Sequence, residues 1–445
     1  MTRMTVPVHA PGVPDALRAL CDRLAPLREL RRSGVRDFSA QVRSVLVIAS
    51  SSRGGSSMVT ETLRASRALL HLQAEINPFL RLAGLGFPDS GTGSDRLDAA
   101  HVAALAPAAR RLLDEELARD VGTAADVPDP EQFALDVAWR FAVQWPELPL
   151  DPLAVADAAR GVLRGAPSWD PAAVTLSVLR GLHQQGLPVS PWYYDLPRDL
   201  LQREAFGAPS PRAPGRLLIE EPPFVLARPW RRADPADLRE RTLVIKTPSN
   251  AYRLGFLRAL FPNARLRVLH LTRNPAAAVN GLYDGWLHNG FHAHRMTSPL
   301  AIGDYVERCE DNRWWWKFDL PPGWQDFTGA PLLDVCAFQW RSSHQAVLDD
   351  LDRGPVEGLT LHFEDLIGGP DRRIASFERL SDWLGIPLDG EFRHSVHHGI
   401  APVAATARPR AGRWQDRADL IGRALDARTL QVADRLGYAD PTGWI

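Results

Sequence analysis

The chain has 445 residues and a mass of 49.2 kDa, enough for two or three domains. Its hydrophobic fraction of 45% and charged fraction of 24% are ordinary for a globular protein, and a net charge of −1 excludes a global field suited to nucleic acid or an anionic membrane. Of 52 basic residues only two, Lys246 and Lys317, are lysines, a bias that the Ala, Pro, Gly and Leu content ties to a GC-rich genome.

Three scattered cysteines, Cys21, Cys309 and Cys336, are too few for a disulfide framework or a cysteine metal site and suit a reducing interior. No apolar run approaches the length of about 20 residues that spans a membrane. The opening MTRMTVPVHAPGV lacks the charged-then-apolar order of a signal peptide, so a cytoplasmic protein is expected.

Residues 14–32 carry apolar positions at helical spacing, and residues 1–43 read as an N-terminal helical extension. SVLVIAS (44–50) is a short β-branched run, as in a strand buried on both faces of a parallel sheet. The turn SSRGGSS follows, then MVTETLRASRALLHLQ, which reads as one helix. Residues 96–205 show helical pattern with Pro-rich breaks and no good strand, which predicts a helical insertion. Residues 206–240, rich in Pro and Arg, read as a connector, packed or folded over a site as a lid. The α/β pattern resumes with the strand RTLVIK and a helix, SNAYRLGFLRALF, capped by Ser249 or Asn250. A third strand, ARLRVLHLT, leads through RNP into the helix AAAVNGLYDGWL. A long helix at 332–352, a fourth strand GLTLHFEDL and the helix RRIASFERLSDWLGI complete the pattern. The expected fold is α/β, a three-layer P-loop-like arrangement with a small parallel sheet, spanning 44–445.

Five segments carry chemistry. In Ser52-Arg53-Gly54-Gly55-Ser56-Ser57 the glycines let backbone N–H groups approach an anion, and the helix start adds partial positive charge. The turn is not a Walker A loop, because GxxxxGK[ST] is absent, and the cation comes first, as Arg53. Lys246 closes a buried strand, where open α/β sheets bind ligands. Arg273 stands just past the third strand, HFEDL ends the fourth, and Arg408-Pro409-Arg410-Ala411-Gly412-Arg413-Trp414 is a basic loop with one aromatic.

In this order the segments resemble the sulfotransferases that use 3′-phosphoadenosine 5′-phosphosulfate (PAPS). The resemblance covers about residues 44–80 and 241–415. It makes SSRGGSS the 5′-phosphosulfate loop, with Ser52, Arg53, Gly54, Gly55, Ser56 and Ser57 at the donor. FPNA and LTRNPAAAVNG become the 3′-phosphate segment, with Arg273 and Asn280 or Gly281 as contacts. Arg408, Arg410, Gly412 and Trp414 become the closing loop. The nearest flavour is the tyrosylprotein-sulfotransferase branch and its bacterial relatives, whose loop begins with arginine and whose second strand ends Lys-x-Pro, matched by Lys246-Thr247-Pro248. That branch implies Arg53 and Lys246 on the transferring sulfuryl group and a glutamate about twenty residues past the loop as general base, here Glu75. Two positions depart from the pattern. Gly281 stands where the family usually has serine, and Pro409 removes a backbone donor from the closing loop.

Such a reaction needs cations on a leaving phosphate and a base for the acceptor hydroxyl, and no metal. Arg53 offers a planar fork and Lys246 a compact ammonium. Besides Glu75, the bases available are His288, Asp284, Glu220 and Glu221. Glu364 and Asp365 read as structural, and His292 and His294 lack a third metal ligand. Trp314, Trp315 and Trp316 offer aromatic faces for an acceptor or fill core. The acceptor expected is a small-molecule or peptide hydroxyl. Two other readings remain: a nucleotide-dependent phosphotransferase, and a degenerate fold that only binds.

Overall fold

The computed structural model describes residues 13–165, 170–208, 213–354, 356–399, 403, 406 and 410–444. The chain divides into two units, one of Met1–Arg32 with Val127–Pro229, the other of Ser33–Asp126 with Trp230–Ile445.

The first unit is built on helices Val13–Leu30, Pro130–Gln144, Pro152–Gly165 and Pro171–Gln184. Asp129 and Asp170 cap two of them through backbone N–H groups in the first turn. Inside it, the guanidinium groups of Arg31 and Arg140 lie 5.0 and 5.3 Å from the centre of the Trp139 ring, and their charges are met by Asp136 at 2.9 Å and Glu220 at 2.7 Å. Burying a charge is costly, and pairing of this kind offsets much of the cost.

The second unit holds a seven-stranded sheet. Its strands are β1 (Ser44–Ala49), β2 (Leu69–His71), β3 (Gly122–Ala124), β4 (Trp230–Arg232), β5 (Thr242–Lys246), β6 (Arg265–Thr272) and β7 (Glu357–His362). The order across the sheet is β4-β3-β2-β5-β1-β6-β7. Strands β2, β5, β1, β6 and β7 are parallel; β3 and β4 add antiparallel at one edge. The helices that matter for the site are α1 (Ser56–Leu63), α2 (Leu254–Leu260), α3 (Pro275–Leu287), α4 (Leu332–Asp352), α5 (Pro370–Leu384) and α6 (Gly390–His398). One face of the sheet, through Leu46, Ile48, Leu269 and Leu271, packs on α1, α5 and α6. On the other face His270 of β6 meets His344 of α4 at 2.9 Å, both rings held neutral by burial. Helices on both faces of a mainly parallel sheet make the three-layer α/β fold that the sequence pattern predicts.

Several element assignments change. The helix after the SSRGGSS turn stops at Leu63, and Leu69–His71 is a strand. Its apolar run suits either state, and fully buried pairing with β5 decides for the strand. Residues 96–205 do contain a strand, β3, and the connector supplies β4. A Cβ at Gly122 would lie 2.1 Å from the Arg231 carbonyl, so that pairing requires glycine. Neither Ser249 nor Asn250 caps α2; Pro248–Tyr252 forms a 3₁₀ turn instead. Asn250 donates to the carbonyls of Ile48 and Ile245 and so bridges β1 and β5 near the end of their pairing. Strand β7 ends at His362, and Phe363–Ile367 is a short helix.

Phe363 also explains the turn after β1. Gly55 sits at φ 95°, and a Cβ there would fall 2.2 Å from the Phe363 ring. Glycine is needed twice, for the left-handed backbone and for the close approach. Gly55→Ala is therefore expected to destabilise the protein by about 2 kcal/mol or more. A denaturant midpoint equal to that of the parent would refute the packing argument.

Candidate functional site

The site grows from the C-terminal ends of β1, β5 and β6. Strand β1 runs into Ser50–Gly55, and α1 begins at Ser56 with its first-turn N–H groups at the turn. The turn is held internally by the Gly54 amide donating to the Ser51 carbonyl at 3.1 Å. Ser52 donates its hydroxyl to Asp319 Oδ1 at 2.5 Å. Arg53 has a left-handed backbone, φ 61°, which is rare for a residue with a side chain. Its guanidinium lies 5.5 Å from the centre of the Phe291 ring.

Strand β5 pairs with β1 so that Lys246 stands opposite Ile48, beside the turn. Lys246 Nζ donates to Ser57 Oγ at 2.9 Å and to Glu75 Oε1 at 2.5 Å. Three residues from three separate segments thus meet at one ammonium group. All three are among those singled out from the sequence. At the same strand ends, the hydroxyls of Ser50, Ser51 and Thr247 are buried with no hydrogen-bond partner among the described residues. Unpaired buried donors of this kind are costly unless a ligand or water meets them.

From β6 comes Arg273. Its Nη1 donates to the Arg53 carbonyl at 3.1 Å, and its guanidinium lies 4.9 Å from the centre of the Phe363 ring. Burial lowers its pKa, opposed by the carboxylate of Glu364. Glu364 accepts from the backbone and side chain of Asn274 and from the Tyr438 hydroxyl at 2.8–2.9 Å. It is structural, as the sequence suggests, though it stands on a helix and not a strand.

Helix α3 carries Asn280 and Gly281, the two positions left open in the Arg273 segment. Gly281 packs against Arg53, and a Cβ there would lie 3.3 Å from Arg53 Cβ. The missing serine leaves room that the arginine stem occupies. Asn280 is buried and accepts from Arg417 Nη1 at 2.5 Å. Asp284, one turn further, accepts from Arg413 Nη2 at 2.6 Å and lies 3.0 Å from Arg417 Nη1. A cleft of 590 Å³ opens along this end of the helix, lined by Asp284, Leu287, His288, Arg413, Asp416 and Arg417.

Of the closing-loop residues, Arg408 lies outside the described residues, as does Pro409. Arg410 is exposed and pairs with Asp416. Gly412, at φ 63°, precedes the 3₁₀ turn Arg413–Arg417, and Trp414 meets Trp444 edge-on at 6.1 Å. The cations that reach α3 are Arg413 and Arg417, neither of which the sequence distinguishes from its neighbours. No local signal marks them; only the partners on α3 do.

The candidate bases now separate. Both oxygens of Asp284 face arginines. Glu220 belongs to the first unit and is bonded by Arg140 and Gln144, and Glu221 lies beside it in the chain. Glu75 stands with Lys246, and His288 lines the cleft. His292 is buried, with its pKa lowered to about 3 by burial and then by Lys317 and His288. His294 lies 3.4 Å from buried Asp95. Among the described residues, no three His, Cys, Asp or Glu side chains are grouped to hold a metal ion. Trp315 and Trp316 are core, Trp316 packing edge-on against Trp286 and Trp324.

Lys317, which the sequence gives no role, is fully buried. Its Nζ donates to the His288 carbonyl at 2.6 Å, at the C-terminal end of α3, and sits 5.3 Å from the centre of the Tyr305 ring. A cation there meets the negative end of the helix dipole.

The strand, the Gly/Ser turn and the helix start, faced by a lysine and two arginines, define an α/β protein of the P-loop-like class. A sequence model described as "Sulfotransferase family" matches residues 46–308, more than half of the chain. The chain belongs to the sulfotransferase family. No curated protein matches it. Three solved chains do, all distantly. The sulfotransferase domain from the curacin biosynthetic pathway is 12% identical, with 89% of this chain and 98% of that chain covered at a TM-score of 0.37. The sulfotransferase domain of the Synechococcus olefin synthase is 15% identical, with coverage of 90% and 96% and a TM-score of 0.36. A sulfotransferase from Mycobacterium avium is 12% identical, with coverage of 97% and 87% and a TM-score of 0.37.

Burial lowers the pKa of Lys317 to about 7 from 10.5. Below pH 7 folded and unfolded chains both hold the proton, and the burial penalty is present in full. Above it the unfolded chain binds more protons, so this group's contribution to stability rises with pH up to the ordinary lysine value. Relative to Lys317→Met, the parent is expected to gain on the order of 2 kcal/mol between about pH 7 and pH 9. Parallel stability–pH curves for the two proteins would show that Lys317 is not the titrating group.

Proposed function

We propose that this sulfotransferase moves a sulfuryl group from PAPS to a hydroxyl on a peptide, carbohydrate or specialised metabolite, without a metal. One observation carries the reading: Lys246 bonds both Ser57 at the head of α1 and Glu75, joining a cation for the donor to a base for the acceptor. Arg53, Arg273 and Lys246, with the unpaired hydroxyls of Ser51 and Thr247, suit an anionic nucleotide at the strand ends. When bound, the nucleotide supplies the sulfuryl group and a weakly basic phosphate as leaving group.

In this reading Arg53 and Lys246 neutralise charge on the transferring group and on the leaving oxygen. Neither has to give up a proton, because a low-basicity phosphate leaves as an anion. Ser52, Gly54, Gly55, Ser56 and Ser57 hold the donor end by backbone and hydroxyl contacts, and Arg273 and Asn280 serve the 3′ end. The space at Gly281 belongs to the Arg53 stem. Arg408, Arg410, Gly412 and Trp414 close over the nucleotide. Glu75 takes the acceptor proton at a carboxylate oxygen as the new O–S bond forms. The free thiols of Cys21, Cys309 and Cys336 are suited to the cytoplasm. Among the described residues no helix is long and apolar enough to cross a membrane.

Arg53→Ala and Lys246→Ala are each expected to lower turnover by about 10²–10³-fold while the thermal transition is retained. Wild-type turnover in both would overturn the role assignment. Glu75→Gln is expected to lose about 10²-fold or more and to flatten the acid limb of the pH–rate profile. An unchanged profile would remove Glu75 as the base. Calorimetry with 3′,5′-diphosphoadenosine tests the nucleotide directly: no heat of binding at high micromolar concentration would favour a degenerate fold that binds something else.

A further inference from the structure

The residues that hold Arg53 in place include a segment that no motif marks. We propose that the tripeptide Lys317-Phe318-Asp319 is the positioning element for Arg53, fixing both its backbone and its guanidinium. The claim deepens the transfer reading above and rests on it for the role of Arg53.

Among the described residues, only Asp37, Arg53, Asp304 and Phe318 adopt positive φ without being glycine. Two of these four lie at opposite ends of one chain of contacts. Phe318 has φ 64°, an uncommon and costly state for a bulky side chain, which persists only where its surroundings over-determine it. They do so here. Gln339 Nε2 donates to the carbonyls of Lys317 at 3.0 Å and Asp319 at 2.8 Å. Trp316 Nε1 also donates to the Asp319 carbonyl, and the Leu320 amide donates to buried Asp95. The backbone is pinned on both sides of the strained residue.

Each side chain of the tripeptide then acts on a different support of Arg53. Asp319 is fully buried and accepts from Ser52 at 2.5 Å, Tyr252 at 2.9 Å and Ser343 at 3.2 Å, which anchors the residue next to Arg53 in the turn. Phe318 turns its ring onto α3, where a Cβ at Gly285 would lie 2.4 Å from Phe318 Cζ. The same ring packs on Phe291 with centroids 5.3 Å apart, and Phe291 lies under the Arg53 guanidinium. Lys317 bonds the His288 carbonyl, where α3 ends and the loop to Phe291 begins. Without the strained turn at Phe318, ring, ammonium and carboxylate would not point to these three places from consecutive residues. A merely space-filling patch would not need the positive φ.

The test uses the full chain and two readouts. Phe318→Gly relieves the backbone and removes the ring; Phe318→Tyr keeps the ring; Phe291→Leu is a second route to the same loss. In the ligand-free protein, Arg53 labelling by phenylglyoxal, located by peptide mass mapping against exposed Arg265, is expected to rise about threefold in Phe318→Gly and Phe291→Leu and not in Phe318→Tyr. The turnover number is expected to fall about tenfold in the first two, with the dissociation constant of 3′,5′-diphosphoadenosine held within about twofold. Arg53 labelling unchanged in both Gly and Leu variants overturns the proposal, whatever the activity. So does an unchanged turnover number with a nucleotide dissociation constant raised about tenfold or more. A wild type that neither binds the nucleotide nor transfers a sulfuryl group, with the labelling rise still seen in the two variants, sinks the transfer reading and leaves the positioning role standing.

Discussion

The parallel pairing of β1 with β5, with Ile48 opposite Lys246, is the constraint on which the site depends. A strand alternates its side chains between faces, so a slip of one residue would turn Lys246 to the other side of the sheet. The register is held by near-complete burial of both strands and by Asn250, which bonds a carbonyl from each. With that register fixed, a lysine at the end of one strand stands beside the Gly/Ser turn at the end of the next. Glu75 then reaches the same ammonium from the segment after β2, which pairs on the far side of β5.

Much of this was legible because it is local. A β-branched run, a Gly/Ser turn and an amphipathic helix announce themselves within twenty residues, and Lys246 stands out against a chain otherwise basic through arginine. What was not legible depends on contacts distant in sequence. The strand Leu69–His71 has no alternation to distinguish it from helix, because both faces are buried. At Gly281 the sequence leaves open whether Asn280 takes over a contact or the contact is missing; that the Arg53 stem packs against this glycine is visible only in the fold. Gly55 is readable as an anion-loop glycine, yet its closest constraint is Phe363, some three hundred residues on.

Lys317 shows the same limit from the other side. The composition that draws attention to Lys246 applies equally to Lys317, and sequence alone gives it nothing to do. Inside the fold it is a buried ammonium at the end of α3, bonded to a carbonyl and facing a tyrosine ring. An arginine there would bring a planar fork of five donors where one carbonyl is on offer, and would remain charged. A lysine can shed its charge, which burial favours. Lys317 thus sits where a compact, adjustable cation suits the geometry better than a guanidinium.

The arginines follow a complementary rule. Three buried arginines are matched one by one, Arg31 by Asp136, Arg140 by Glu220 and Arg253 by Asp95, while buried Arg267 donates to the Trp383 carbonyl and the Ser44 hydroxyl. Along α3 the matching is uneven, since Asp284 and Asn280 serve two guanidinium groups between them and only Asp284 carries charge. Arg273, deeper in, has Glu364 within Coulombic reach but donates to a backbone carbonyl. Arg413 and Arg417 thus share the carboxylate of Asp284, in a chain whose net charge is only −1.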